Sequence, residues 1–347
     1  MVLEERVLGR TGIKVKRYGF GGIPIQRVSE EEAIEVVRRC HEVGVNYYDT
    51  ARAYTVSEER IGKALEGVRD EVYLATKSGR RMAKDIVEEL ETSLRNLRTD
   101  CIDVFQLHNL SSREAWEEVK GPGGALEALQ KELDNGRIRH LGFTSHDPGF
   151  AAEVIKEGMF ETVMIPYNYL TLKPEEELLP LCKKLDVGTV IMKPFGGGAF
   201  SNANTALKFV LGKRFADVVI PGMAHVHEVD ENLRVASGPT SLNAEELSLI
   251  DRDREELGSE FCRACNYCQP CPQGIGISFL LRAENQTLRR MGWRPGTEER
   301  FAEAIGKART CIECGACEER CPYHLPIRRL VVEKADSLER LLKARKA

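Results

Sequence analysis

The chain has 347 residues, 42% of them hydrophobic and 30% charged, with a net charge of −4. That is enough apolar content and length for one large domain and a small one, and it excludes a disordered, collagenous or coiled-coil chain. Lys and Arg are interleaved with Asp and Glu, so no basic stripe is offered to a nucleic acid. No apolar run approaches the ~18 residues of a membrane span, and MVLEERVLGR lacks the basic and apolar regions of a signal peptide. The expectation is a cytoplasmic protein without a membrane partner.

In chain order, short β-branched or aromatic runs alternate with longer stretches whose apolar residues recur three and four apart. RYGFGG is the first run. SEEEAIEVVRRCHEVG follows as a helix, with Ser29 placed to cap it, acidic residues at its positive end and Gly44 to stop it. VNYY and VYLAT are the next strands, KDIVEELETSLRNL the next clear helix, and then come CIDVFQL, IRHLGF and TVMI. PEEELLPLCKKL reads as a helix before VGTVIM and ADVVI. Eight such strands in about 250 residues predict an α/β fold, a (β/α)8 TIM barrel over residues 1–258. An open doubly wound sheet is the alternative, but no G-x-G-x-x-G follows the first strand.

Reactive side chains fall at the C-terminal ends of these strands: Asp49, Lys77, His108, Ser145 and Lys193. In a barrel those ends share one mouth. Taken singly, an Asp there is a turn former, a Lys is solvated and a His is a satisfied surface or core residue. Their repetition at corresponding ends, with Tyr54 five residues after Asp49, points to a site.

Of eleven cysteines, Cys40, Cys101 and Cys182 are scattered and read as small buried hydrophobes. The other eight form two strings, Cys262, Cys265, Cys268 and Cys271, then Cys311, Cys314, Cys317 and Cys321. They set residues 259–347 apart as a small second domain, expected to be mainly helical and to hold iron–sulfur clusters. In a reducing compartment, thiols at three-residue spacing favour metal ligation over disulfides. The second string is C-x2-C-x2-C-x3-C-P, the spacing that wraps a loop around a cubane, and Pro272 and Pro322 turn the chain away after each string. Paired C-x2-C is also a zinc spacing, so two structural zinc sites are the alternative.

VNYYDTARAY, SEERIGKAL, LATKSG and VFQLHN resemble the aldo-keto reductase superfamily. The resemblance implies a catalytic tetrad of Asp49, Tyr54, Lys77 and His108, and a nicotinamide cofactor at the barrel mouth. Tyr54 would be the acid that protonates a carbonyl oxygen, Lys77 would ease release of its proton, Asp49 would hold Lys77 charged, and His108 would address the substrate oxygen. The resemblance also assigns Gly21, Gly22, Asp49, Ser145, His146, Met192, Lys193, Pro194, Gly196, Gly222, Glu228, Glu231 and Asn232 to the cofactor. Three positions depart from the family pattern: His146 replaces an asparagine, Met164 a glutamine and Met192 a stacking tyrosine. Gly222 and Glu228 stand where NADP-preferring members carry Lys and Arg, so NAD(H) is expected over NADP(H).

The cysteine strings resemble the two-cluster bacterial ferredoxins, which implies two [4Fe–4S] clusters. By that resemblance Cys321 joins Cys262, Cys265 and Cys268, while Cys271 joins Cys311, Cys314 and Cys317. The shorter gap before Cys271 leaves open that each string holds its own cluster. The stretch between the strings, including SFLLRAENQTLRRMGW and TEERFAEAIGKA, reads as helical. The whole chain resembles a branch of the aldo-keto reductases with such a C-terminal domain. Three functions follow: a carbonyl reductase or alcohol dehydrogenase with structural or sensing clusters, a site fed electrons through the clusters by a ferredoxin or partner subunit, or a scaffold. A hydride carrier and a one-electron cluster are usually joined by a flavin, and a flavin stays open here.

Overall fold

The computed structural model describes residues 2–258, 260–263, 267–284, 293 and 295–346. They form two compact units, Met1–Phe195 with Asn202–Leu247, and Gly196–Ser201 with Ser248–Ala347.

The first unit opens with an antiparallel hairpin, β1 (Glu5–Val7) and β2 (Lys14–Lys16), and continues with the short strand β3 (Phe20–Gly21). Helix α1 (Glu30–Glu42) begins where expected. The Ser29 hydroxyl accepts from the Glu32 amide, and the Glu32 carboxylate accepts from the Ser29 amide, a reciprocal cap. The chain leaves α1 through Gly44, at φ 89°, a backbone that residues with a Cβ seldom adopt. Then follow β4 (Tyr47–Asp49), α2 (Ser57–Ala64), β5 (Tyr73–Ser78), α3 (Ala83–Leu97), β6 (Ile102–Leu107), α4 (Arg113–Lys120), α5 (Ala125–Asp134), β7 (Ile138–Thr144), α6 (Pro148–Ile155) and β8 (Thr162–Pro166). The segment expected as one helix from Pro174 splits into a 3-10 turn, Lys173–Glu175, and α7 (Leu178–Leu185). β9 (Gly188–Met192), α8 (Ala203–Leu211), β10 (Val218–Val219), α9 (Val226–Ala236) and α10 (Ala244–Leu257) follow, and α10 crosses into the second unit.

Strands β3 to β10 pair in parallel in sequence order. The bridges Tyr18↔Val219 and Gly21↔Gly222 bring the first and last together, so the sheet is a nearly closed barrel. This is the expected barrel and not the open sheet. Its interior is packed by Tyr47, Ala75, Val104, Met164, Val190 and Val218, and the hairpin adds Leu8, Ile13 and Val15 to the same cluster. The helices cover the outside through a second apolar layer that includes Val37, Leu90, Trp116 and Phe160. Burying both faces of the strands explains why they read as nearly continuous apolar runs.

The second unit is mainly helical. Among its described residues are α11 (Ile277–Arg282), α12 (Thr297–Ala308), α13 (Ala316–Glu319) and α14 (Ile327–Lys346). Its core contains Ile275, Leu280, Phe301, Ile327, Val331 and Leu338. Within this unit Arg282 donates to the Gly197 carbonyl at 2.9 Å, and the Asp253 carboxylate accepts from the Ser201 amide at 3.0 Å. Residues 285–292 and 294 of the stretch between the strings lie outside the described residues. Among the described residues no helix is long and apolar enough to cross a membrane.

Candidate functional site

Strand register decides which side chains meet at the mouth. Lys77 pairs with Gln106 across β5 and β6, and Asp49 lies at the end of β4 beside β5. Lys77 Nζ donates to Asp49 Oδ2 at 2.5 Å and to the Thr50 carbonyl at 2.7 Å. The other carboxylate oxygen, Oδ1, accepts from Gln106 Nε2 at 3.1 Å. Both members of the ion pair are buried. Burial pushes the Asp49 carboxyl above its ordinary value, while Lys77 and the Gln106 hydrogen bond pull it back.

Tyr54 lies in the loop between β4 and α2, with Lys77 Nζ 5.1 Å from its ring centroid. The His108 ring meets it edge-on, centroids 5.9 Å apart. The four tetrad residues are therefore together. The expected balance at the phenol differs, however. Burial raises the Tyr54 hydroxyl above the usual tyrosine range and outweighs the downward pull of Lys77. His108 is pushed down to about 3 by burial, Lys77 and Arg81, so its imidazole is neutral at physiological pH.

The residues assigned to a cofactor fall into two groups. His146 is held well below its ordinary value by burial and by the Lys193 charge, which places these two side chains in one electrostatic neighbourhood. Lys193 follows Met192 at the end of β9 with φ 57°, a left-handed backbone that is uncommon outside glycine. Its carbonyl accepts from Asn168 Nδ2 at 3.0 Å. Pro194 follows it in the same unit, whereas Gly196 falls in the second. The other group has structural work of its own. Ser145 Oγ lies 2.9 Å from Ser111 Oγ and 3.1 Å from the Asp147 carbonyl. Gly21 and Gly22 are crossed closely by backbone, a Cβ on either falling within 3 Å of the Ile220 or Asp49 carbonyl oxygen. A Cβ on Gly222 would meet Pro24. Glu228 Oε2 accepts from the Ala224 and His225 amides and closes a cap on α9. Asn232 is buried and hydrogen-bonds the Tyr18 hydroxyl, while Glu231 beside it is exposed.

Two residues of the site lay outside the sequence reading. Gln106 stands on β6 two positions before His108, which follows the strand's end, so period-two alternation was the available signal. Glu58 is buried next to the site and accepts from Arg52, Thr76, Ser93 and Asn96, which ties the start of α2 to β5 and α3.

In the second unit, Cys271, Cys311, Cys314 and Cys317 line one cavity with Ile275 and Val331. Cys268 and Cys321 are buried in the core of this unit and Cys262 packs against it. Arg320 donates to the carbonyls of Cys268, Gln269 and Pro270, tying the loop of the first string to the residue before Cys321. Cys265 lies outside the described residues. Cys40 and Cys182 are buried, as read from the sequence, and Cys101 is half-buried.

A barrel whose charged and phenolic residues converge at the strand ends is the arrangement of an oxidoreductase, and the chain adds a second unit with a cysteine-lined cavity. Residues 17–206 match the Aldo/keto reductase family model, and residues 261–326 match the 4Fe-4S dicluster domain model. The chain belongs to the aldo/keto reductase family and carries a 4Fe–4S dicluster domain. It is 25% identical over 299 residues to L-galactose dehydrogenase of Arabidopsis thaliana, covering 72% of this chain and 93% of that one. It is 32% identical over 209 residues to aldo-keto reductase YhdN of Bacillus subtilis, covering 54% and 61%. Among solved structures, the holo form of aldo-keto reductase AKR11C1 from Bacillus halodurans superposes with a TM-score of 0.63 at 27% identity, covering 73% of this chain and 96% of that one.

Proposed function

We propose that the chain interconverts a small carbonyl compound and its alcohol with a nicotinamide cofactor at the barrel mouth, and that its C-terminal domain carries two [4Fe–4S] clusters. In this reading residues 1–258 act as the barrel domain and 259–347 as the cluster domain. The carrying observation is the buried Asp49–Lys77 pair beside Tyr54 and His108.

When bound, nicotinamide supplies or accepts the hydride. His146, Met192 and Lys193 are the residues that would hold it, and the left-handed backbone at Lys193 supports this, since such strain collects at ligand sites. NAD(H) is favoured over NADP(H), because the Glu228 carboxylate repels a ribose phosphate. The chain itself handles the proton. As negative charge develops on the carbonyl oxygen, Tyr54 gives up its hydroxyl proton to it, and in the reverse direction takes one from the alcohol. The Lys77 ammonium stabilises the phenolate left behind. Asp49 keeps that ammonium charged inside the barrel. His108, neutral, offers a ring N–H to the same oxygen.

The cavity bordered by Cys271, Cys311, Cys314 and Cys317 fits a thiolate-held cluster, since its four sulfurs come from both strings. Cys262, Cys265, Cys268 and Cys321 would hold the other. Bound clusters supply one-electron transfer. In a second reading electrons enter through them from a ferredoxin or partner subunit, with a flavin as the joining carrier. Met164, buried in the barrel interior, and the engaged Ser145 hydroxyl favour this reading, because neither is free to grip a carboxamide.

Replacement of Tyr54 by Phe tests the proposal. Carbonyl reduction by NADH should fall by about 10²- to 10⁴-fold while cluster absorbance is retained. Unchanged turnover would remove the barrel chemistry. Anaerobic turnover separates the two readings: carbonyl reduction by NADH while the clusters stay oxidised supports the first, and reduction of substrate by pre-reduced clusters without NADH supports the second.

A further inference from the structure

A polar row crosses the barrel interior next to the tetrad. Lys77 pairs with Gln106, Gln106 with Gly142, and Gly142 with Thr162, so these residues of β5, β6, β7 and β8 point into the barrel at one level. Lys77, Gln106 and Thr162 are buried. Glycine is required at position 142. A Cβ there would stand 2.1 Å from Thr162 Oγ1 and 3.3 Å from Gln106 Cγ, so the missing side chain lets the Thr162 hydroxyl approach β7 close to Gln106.

The amide orientation follows from charge. Gln106 must present its Nε2 to the Asp49 carboxylate, because an amide oxygen there would be repelled. Its Oε1 then faces away from Asp49. Gln106 Oε1 and Thr162 Oγ1 are both buried, and neither has a hydrogen-bond partner in the protein. Two orphaned polar atoms beside one glycine are the setting in which an internal water is retained.

We propose that Gln106 is a positioning residue for the Asp49–Lys77 pair, and that its amide oxygen shares one internal water with Thr162 Oγ1 near Gly142. The carboxylate is thereby held at both oxygens, by Lys77 on one and Gln106 on the other. Lys77 is fixed where its charge reaches Tyr54. The chain of support runs from Thr162 through water and Gln106 to Asp49. Its catalytic consequence rests on the function proposed above; the hydrogen-bond network does not.

The test uses the full-length protein labelled with ¹³C at the aspartate carboxyls, with D49N to assign the Asp49 resonance. The groups facing that carboxylate are Lys77 from β5, Gln106 from β6, Tyr54 from the following loop and Tyr47 from its own strand. In Gln106→Met the resonance should move and its titration rise to higher pH, because a donor to the charged form is lost. In Thr162→Val it should move less, in the same direction, and Thr162→Ser should restore it. For reduction of an aromatic aldehyde by NADH, Q106M should lower kcat roughly tenfold or more with KM unchanged, and move the acid limb upward. An unmoved resonance in T162V overturns the water link. Unchanged kcat and pH profile in Q106M overturn the positioning role. If Q106M does not fold, the comparison of T162V with T162S decides alone. Should the wild type reduce no carbonyl while the resonance moves as described, the network stands and the proposed reaction falls.

Discussion

Lys77 and Asp49 hold opposite charges 2.5 Å apart with side-chain exposures of 2% and 4%. In water such a pair contributes little, but here neither charge can be rehydrated if the other is removed. Lys77→Met should therefore destabilise the barrel by about 3–5 kcal/mol, the cost of an uncompensated buried carboxylate. The double variant D49N/K77M should recover most of that loss in urea unfolding and remain as inactive as the single one. Equal stability of the single and double variants would mean that Asp49 is already neutral in the native state.

His108 gives a prediction with a definite sign. Its native value is depressed to about 3, whereas the unfolded imidazole titrates near ~6.5. Below ~6.5 the unfolded chain binds a proton that the native site refuses. Stability is therefore lost as pH falls from about 6.5 toward 3, and this group adds no further loss below that. His108→Gln should lose less stability than the wild type between pH 7 and 5, as measured by urea midpoints. The same loss in both proteins would mean that the native imidazole protonates normally.

Cluster content should follow the cavity and not the order of the strings. Cys271→Ser and Cys311→Ser should each remove roughly half the iron and sulfide, and the double variant should lose no more than either single one. Cys262→Ser combined with Cys311→Ser should lose nearly all. Additive losses for Cys271 and Cys311 would show that each string holds its own cluster.

The nucleotide preference can be tested without breaking the fold. Glu228 caps α9, and glutamine serves in a capping box as well as glutamate. Glu228→Gln thus removes charge and keeps the cap. The wild type should bind NADH more tightly than NADPH, and E228Q should narrow that gap several-fold in direct binding measurements. Equal dissociation constants in the wild type would refute the preference.

All eight barrel strands could be read from their β-branched or aromatic runs, because a strand buried on both faces carries apolar residues on both. The β1–β2 hairpin could not, since ERV and KVK are short and charged. Asp49, Lys77 and His108 stood out because they fall at strand ends, whereas Tyr54, in the loop after β4, joined them through the family resemblance. The acidity of Tyr54 was not, because it depends on how burial weighs against Lys77, a balance set by packing. Glu228 shows a different limit. The family pattern placed it at a ribose, and only the backbone distances reveal that it caps α9.

The cavity that gathers Cys271 with Cys311, Cys314 and Cys317 also sets a timetable for biosynthesis. A thiol from the first string faces three that leave the ribosome about 40 residues later, after α12. If the cavity's four thiols bind together, that site cannot be completed while the second string is still in the exit tunnel. The barrel strands will by then have emerged, so a cluster bound as proposed would be a late event in this chain's maturation. On the function proposed above, a cell short of iron would accumulate molecules with a finished barrel and an unfilled cysteine site.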